Sequence, residues 1–158
     1  MTKDCLRVVQ TSLDTNNEMA LQGTRFFGTS RRESTDWIAR SQEEIDDLTV
    51  LSLCAIFERR IITLVQGKGR GILEEPPLDL SEQVHAKFVD AVERWRIDDF
   101  ISLLERYVGR DLSKDTRSVV AYRNWVAHRN PKRQPEKKTE PQTAYDVLTQ
   151  FLDRIREL

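Results

Sequence analysis

The hydrophobic positions of this chain recur with helical spacing over most of its length. The strongest repeat follows Ser34 and Thr35, either of which can cap a helix, and it ends where glycines begin at Gly67. Its apolar members recur as on the buried side of a helix: Ile38, Ile45, Leu48, Leu51, Cys54, Phe57, Ile61 and Val65. The pattern predicts one long helix that is stopped by glycine residues.

Turn-forming residues divide the remainder into four further helices, predicted from Ser81 to about Trp95, from about Asp98 to Gly109, from near Ser113 to Asn130, and from Pro141 onwards. Ser113 is expected to cap its helix, and Pro131 to end it, because proline lacks the backbone donor that a helix needs. No segment shows the alternation typical of a strand. The sequence therefore predicts an all-α fold: a bundle of about five helices with one long central helix at residues 35–158, after a partly helical or flexible N-terminal extension at residues 1–34.

The composition argues against a membrane protein, a disulfide-rich secreted protein and a metalloprotein. No apolar run approaches the roughly 18 residues of a membrane span, and charged residues interrupt the N-terminus where a signal peptide would be apolar. Cys5 and Cys54 are too few for a disulfide framework, and Cys54 falls in an apolar helical run, as a small buried hydrophobe would. No set of histidines, cysteines and carboxylates has the spacing of metal ligands. We expect a cytoplasmic protein with no metal, no cofactor and no membrane association.

Residues that can carry chemistry concentrate towards the end of the helix predicted from Ser113. Arg123, Asn124 and His128 follow one another closely, and on a helix Asn124 and His128 stack one turn apart with Arg123 beside them. An imidazole can transfer a proton while an arginine stabilises the charge of a phosphate ester, so the set suits phosphate chemistry. The spacing alone is met more often at an ordinary helix end with a surface arginine and histidine.

A basic segment follows these residues, although the formal net charge of the chain is only -1. Arg129, Lys132 and Arg133 are the candidates for contacts with an RNA backbone, since cations behind the histidine would attract phosphates. A solvated loop is the simpler interpretation of the charge by itself.

Two further residues leave alternatives open. Glu58 lies next to Phe57 in the long helix and turns inward towards Arg123 in one interpretation; in the simpler one it belongs to an exposed strip with the two arginines that follow it. His85 lies in the middle of a predicted helix, which is more typical of a surface or packed histidine than of a catalyst.

The segment Arg123-Asn124-Trp125-Val126-Ala127-His128 resembles the Arg-x4-6-His signature of the HEPN superfamily. In that family the signature lies on the penultimate long helix of the bundle, as predicted here, and an alanine before the histidine is frequent. Phe57-Glu58-Arg59 also resembles the first core helix of HEPN proteins related to RNase L and to prokaryotic stress proteins. The resemblance covers roughly residues 35–158 in architecture, and its specific residues are the six of the motif.

The resemblance implies a metal-independent endoribonuclease. HEPN ribonucleases typically form homodimers in which two motifs face each other, and they cleave RNA to a 2′,3′-cyclic phosphate and a 5′-hydroxyl. By this resemblance His128 would activate the ribose 2′-hydroxyl or protonate the leaving oxygen, and Arg123 would stabilise the pentavalent phosphorus. Asn124 would orient the phosphate or the imidazole. Apart from the resemblance, Glu58 would support the site in the interpretation in which it turns inward.

Many HEPN proteins are toxins of toxin–antitoxin pairs or effectors of antiviral defence, so the resemblance also implies a cognate antitoxin protein as a partner. One subgroup carries a tyrosine two residues after the histidine that its antitoxin adenylylates. This chain has Asn130 there, which puts that route of regulation in doubt. Two alternatives stay open: a non-catalytic HEPN-like module that binds RNA, nucleotide or a protein, and an unrelated helical adaptor.

Overall fold

The computed structural model describes residues 2–129, 135 and 137–156, and within these ranges it contains helices and turns but no strand. The all-α prediction is confirmed. The elements are α1 (Thr2–Asp14), α2 (Glu18–Leu21), α3 (Arg31–Lys68), a 3-10 helix (Gly69–Glu74), α4 (Leu78–Val92), α5 (Ile97–Val108), α6 (Arg110–His128) and α7 (Pro141–Arg156). The described residues thus hold seven α-helices where about five were predicted, because the N-terminal segment contributes α1 and α2. None of the described helices is both long and apolar enough to cross a membrane.

The long helix α3 begins earlier and ends differently from the prediction. Ser30 caps it: the Glu33 backbone N–H donates to Ser30 Oγ at 3.2 Å, and the Ser30 N–H donates to Glu33 Oε2 at 3.2 Å. This reciprocal pair is a capping box, so the predicted caps Ser34 and Thr35 are wrong; both lie inside the first turns. Helical structure also continues through Gly67 because that residue does not adopt the positive φ that usually ends a helix.

Gly109 makes the corner between α5 and α6. Its φ of 94° belongs to the region that favours glycine, and it lets α6 begin at Arg110 immediately after α5 has ended at Val108. The predicted stop at Gly109 is therefore confirmed. The predicted cap at Ser113 is wrong: Ser113 lies within α6, is buried, and its Oγ has no hydrogen-bond partner among the described residues.

The end of α6 falls at His128. Arg129 follows in a left-handed conformation with φ 36°, and its N–H donates to the Trp125 carbonyl at 2.7 Å. The helix thus stops before Asn130, which lies outside the described residues together with residues 131–134. The last helix begins at Pro141, as predicted.

The chain forms two compact units, residues 1–48 and 49–158. Their boundary differs from the predicted one between residues 34 and 35. The first unit has a small apolar cluster in which Leu13, Leu21 and Ile38 are buried. Its charged residues include an ion pair between Lys3 and Asp46, whose Nζ and Oδ1 atoms are 2.5 Å apart.

The second unit holds the main core and the candidate motif. Phe57 of α3 and Phe151 of α7 meet edge to face with ring centroids 5.4 Å apart, and Phe100 of α5 is also fully buried. Helix α6 packs against both α5 and α7. Its core-facing residues include Tyr122 and Val126, which anchor the turn that carries the motif.

Candidate active site

The motif occupies the last turns of α6. Tyr122 directly before it and Val126 within it are buried, whereas Asn124 and His128 are exposed and Arg123 is partly buried. An α-helix turns by about 100° per residue, so Asn124 and His128 lie on nearly the same side. Arg123 therefore lies between the exposed side of the helix and its buried side.

Arg123 is held from two directions. Its Nη2 donates to Glu58 Oε2 at 2.8 Å, and its Nη1 donates to Asn124 Oδ1 at 3.0 Å. The first contact is an ion pair that joins α6 to α3, with 27% of the arginine side chain and 33% of the glutamate side chain exposed. Of the two alternatives for Glu58, the structure has the one in which it reaches Arg123.

The neighbouring residue Arg59 points to a different element. Its Nη1 pairs with Glu93 Oε1 at 3.1 Å, and Gln66 donates to the same oxygen at 2.9 Å. The predicted exposed strip is thus divided: Glu58 contacts α6, while Arg59 contacts the residue that follows α4.

Cys54 lies one turn before Glu58 on α3 and is buried. Burial raises the pKa of the Cys54 thiol to about 11, a shift that the nearby Arg123 charge opposes and the Glu58 charge reinforces. The thiol is therefore protonated at neutral pH and acts as an apolar packing group beneath the ion pair, as the sequence predicted.

The Glu58 contact could have been found from the sequence. Cys54, Glu58, Ile61 and Val65 are spaced four, three and four residues apart, so Glu58 falls in the same stripe as three buried apolar residues. An acidic side chain in such a stripe requires a partner, and a distant arginine is the usual one.

His128 differs from Arg123 in its environment. Its side chain is exposed at the helix end, and no described residue makes a hydrogen bond or ion pair with it. Arg129, the first candidate for RNA contact, is exposed directly after it; Lys132 and Arg133 lie outside the described residues. The other histidine, His85, is on α4 and partly buried, and its Nε2 has no partner in the described part of the chain.

The arrangement supplies one fixed cation and one free imidazole on a short stretch of helix. Among the described residues no group of three or more histidines, cysteines and carboxylates could hold a metal ion. Comparisons with protein-family models, with curated proteins and with solved structures find no match for this chain. The function of this chain is therefore inferred from the chemistry of Arg123, Asn124 and His128.

The Glu58–Arg123 pair is expected to stabilise the second unit more than an ordinary surface pair does. In a double-mutant cycle of Glu58→Ala and Arg123→Ala, we expect a coupling free energy of about 1 kcal/mol in urea unfolding, because both groups are partly removed from solvent. The matched control is the Arg59–Glu93 pair, whose side chains are 66% and 43% exposed and whose coupling should stay below about 0.5 kcal/mol. Equal coupling energies for the two pairs would contradict the expectation.

Proposed function

We propose that this protein is a metal-independent endoribonuclease of the HEPN type whose site consists of Arg123, Asn124 and His128. The observation that carries the proposal is the fixed position of Arg123, held by Glu58 and Asn124, on the same end of α6 as an exposed histidine. Such a site pairs a permanent positive charge with a proton-transfer group, as cleavage of a phosphodiester requires.

In the proposed reaction the ribose 2′-oxygen attacks the adjacent phosphorus and the bond from phosphorus to the 5′-oxygen breaks. The 2′-hydroxyl loses a proton to a base, and the leaving 5′-oxygen gains one from an acid. His128 performs one of these transfers, and the Arg123 guanidinium stabilises the charge on the phosphorane oxygens. Because Asn124 Oδ1 accepts from Arg123, its amide N–H groups are the donors left for a phosphate oxygen.

The same chemistry supports a homodimer with facing motifs. In-line displacement places the entering and leaving oxygens on opposite sides of phosphorus, so one imidazole cannot serve both at once. His128 of a second protomer would supply the other group. Arg129, Lys132 and Arg133 are proposed to bind the RNA backbone near the site.

The proposed biological role is that of a cytoplasmic toxin or antiviral defence effector. An enzyme that cleaves cellular or viral RNA without a metal or cofactor would have to be inhibited while the host cell grows. A cognate antitoxin protein is therefore part of the proposal.

One observation favours the alternative of a non-catalytic HEPN-like module that binds RNA, nucleotide or a protein. The Glu58 carboxylate already occupies one side of the Arg123 guanidinium, and no described residue orients the His128 ring. Such a site could bind a phosphate through the remaining donors without performing proton transfer.

The test is cleavage of a single-stranded RNA in the presence of EDTA. We expect products with a 2′,3′-cyclic phosphate and a 5′-hydroxyl, and a loss of at least about a hundredfold in rate for Arg123→Ala, the usual scale for removing a group that stabilises transition-state charge. Arg59→Ala is the matched control, because it removes an arginine of α3 whose guanidinium pairs with Glu93 and not with the motif. RNA binding without cleavage would favour the alternative, and cleavage that survives Arg123→Ala would show that the site is wrong.

A further inference from the structure

The second unit has an open apolar groove that shares no lining residue with the motif. It has a volume of about 590 Å³ and lies between the end of α3, the 3-10 helix and α4 on one side and α5 on the other. Phe88 and Trp95, whose ring centroids are 6.5 Å apart, are partly buried in it. Leu103 and Tyr107 of α5 line it while remaining 50% and 41% exposed. Apolar side chains that stay this accessible around a groove are a typical binding surface.

Gly69 sets the shape of this groove. A Cβ atom at Gly69 would lie 2.2 Å from Cε1 of Phe88, so the absence of a side chain lets the ring lie against the backbone of the 3-10 helix. Two contacts fix the direction of the 3-10 helix along α4. Phe88 lies against Gly69 at its start, and the Ser81 hydroxyl donates to the Glu75 carbonyl just after its end. The two elements therefore run side by side in opposite directions.

The apolar surface continues beyond the groove along α4. Val84 and Leu80 precede Phe88 at intervals of four residues, so the three lie along one side of the helix, and both Val84 and Leu80 are exposed. At the rise of an α-helix this row extends about 12 Å. A row of that length beside a groove fits an elongated apolar partner better than a small molecule.

Charges are separated along the same surface. Lys68 lines the groove and Lys87 directly precedes Phe88 on α4, and neither makes an ion pair with any described residue. The Arg106 guanidinium lies 4.4 Å from the centroid of the ring of Tyr107, which lines the groove, while Arg106 itself lines a separate depression on α5 with Ser102 and Glu105. Exposed carboxylates follow one another at the opposite end of α4, again with no ion pair in the described ranges: Glu74, Glu75 and Asp79.

We propose that this surface docks an amphipathic α-helix of a partner protein. Its apolar side chains would enter the groove and cover the row from Leu80 to Phe88. Its acidic end would lie over Lys68 and its basic end over Glu75, because opposite charges then meet at both ends. This proposal is independent of the ribonuclease proposal, since it uses none of the motif residues.

The probe is a fluorescein-labelled synthetic helix of about 16 residues with leucines along one side, glutamates in one half and lysines in the other. Its control has the same composition with glutamates and lysines alternating along the length. In fluorescence anisotropy with the full chain, we expect the segregated peptide to bind at least about fivefold more tightly at low salt, with the difference lost in high salt.

Leu103→Glu should weaken binding of the segregated peptide by at least about tenfold, because it places a charge against the apolar side of the helix. Ile56→Glu is the matched control: Ile56 is also an exposed apolar residue of this unit but does not line the groove. It should change the affinity by less than about twofold.

The docking proposal is overturned if the two peptides bind equally or if the two substitutions have equal effects on binding. It is also overturned if the protein is a dimer that Leu103→Glu converts to monomers, because a second copy of the chain would then occupy the groove. RNA cleavage by Leu103→Glu at the wild-type rate separates the two proposals, since loss of docking then leaves the proposed active site intact.

Discussion

His128→Ala is expected to lower the rate of the proposed RNA cleavage by at least about a hundredfold, within the range that general acid–base groups contribute. His128 is the last residue of α6, and its side chain is exposed and has no partner in the described part of the chain. Removing the imidazole therefore costs no packing, and the free energy of unfolding should stay within about 0.5 kcal/mol of wild type. Loss of activity without loss of stability would locate the effect in proton transfer.

The matched control for this prediction is His85→Ala, which removes the other histidine of the chain. His85 lies on α4, outside the motif, and the substitution should leave the cleavage rate unchanged. Rates are measured in EDTA on the same RNA, with unfolding followed by circular dichroism. Wild-type activity in both variants would exclude His128 as the proton-transfer group, and a fall in both with a matching loss of stability would indicate that the histidines act through the fold.

Phe57→Ala is expected to lower the free energy of unfolding by about 3–5 kcal/mol, the usual cost of replacing a buried phenylalanine with alanine. The Phe57 side chain is 1% exposed and meets Phe151 edge to face, so alanine would leave a cavity and remove a favourable ring contact. The position also lies directly before Glu58, and the loss of packing should loosen the support of Arg123.

The control for this prediction is Ile56→Ala on the preceding residue, whose side chain is 59% exposed. It removes an apolar side chain from the same helix without opening a cavity, and the expected change is within about 0.5 kcal/mol. Urea unfolding of both variants measures the difference. A loss below about 1 kcal/mol for Phe57→Ala would mean that the core around Phe151 can close over the space.

The elements that the sequence predicted well depend on local chemistry. The apolar repeat of α3, the glycine corner at Gly109 and the start of α7 at Pro141 all reflect conformational preferences of a few neighbouring residues. The predicted start of α3 failed because two caps competed: Ser30 precedes Glu33 in a capping box, and the earlier cap prevailed over Ser34. The predicted cap at Ser113 failed because α6 already begins at Arg110, directly after Gly109.

The candidate site, too, was predictable from the sequence only in part. The spacing of Arg123, Asn124 and His128 within one helix already determines how these residues lie relative to the helix axis. Their environments were not predictable from that spacing. Arg123 is partly buried and paired with a residue 65 positions away, whereas His128 is exposed, although both belong to the same short motif.

By itself the sequence determined that the chain is helical, where its longest helix lies, and which residues could perform phosphate chemistry. Only the tertiary structure decided that Glu58 contacts Arg123 above a buried Cys54, and that Phe88 packs on Gly69 to shape an apolar groove. The physical reason is the range of the interactions. Helical periodicity and capping act between residues a few positions apart, whereas ion pairs and grooves depend on which helix surfaces pack together, and one stripe of apolar residues can pack against many others.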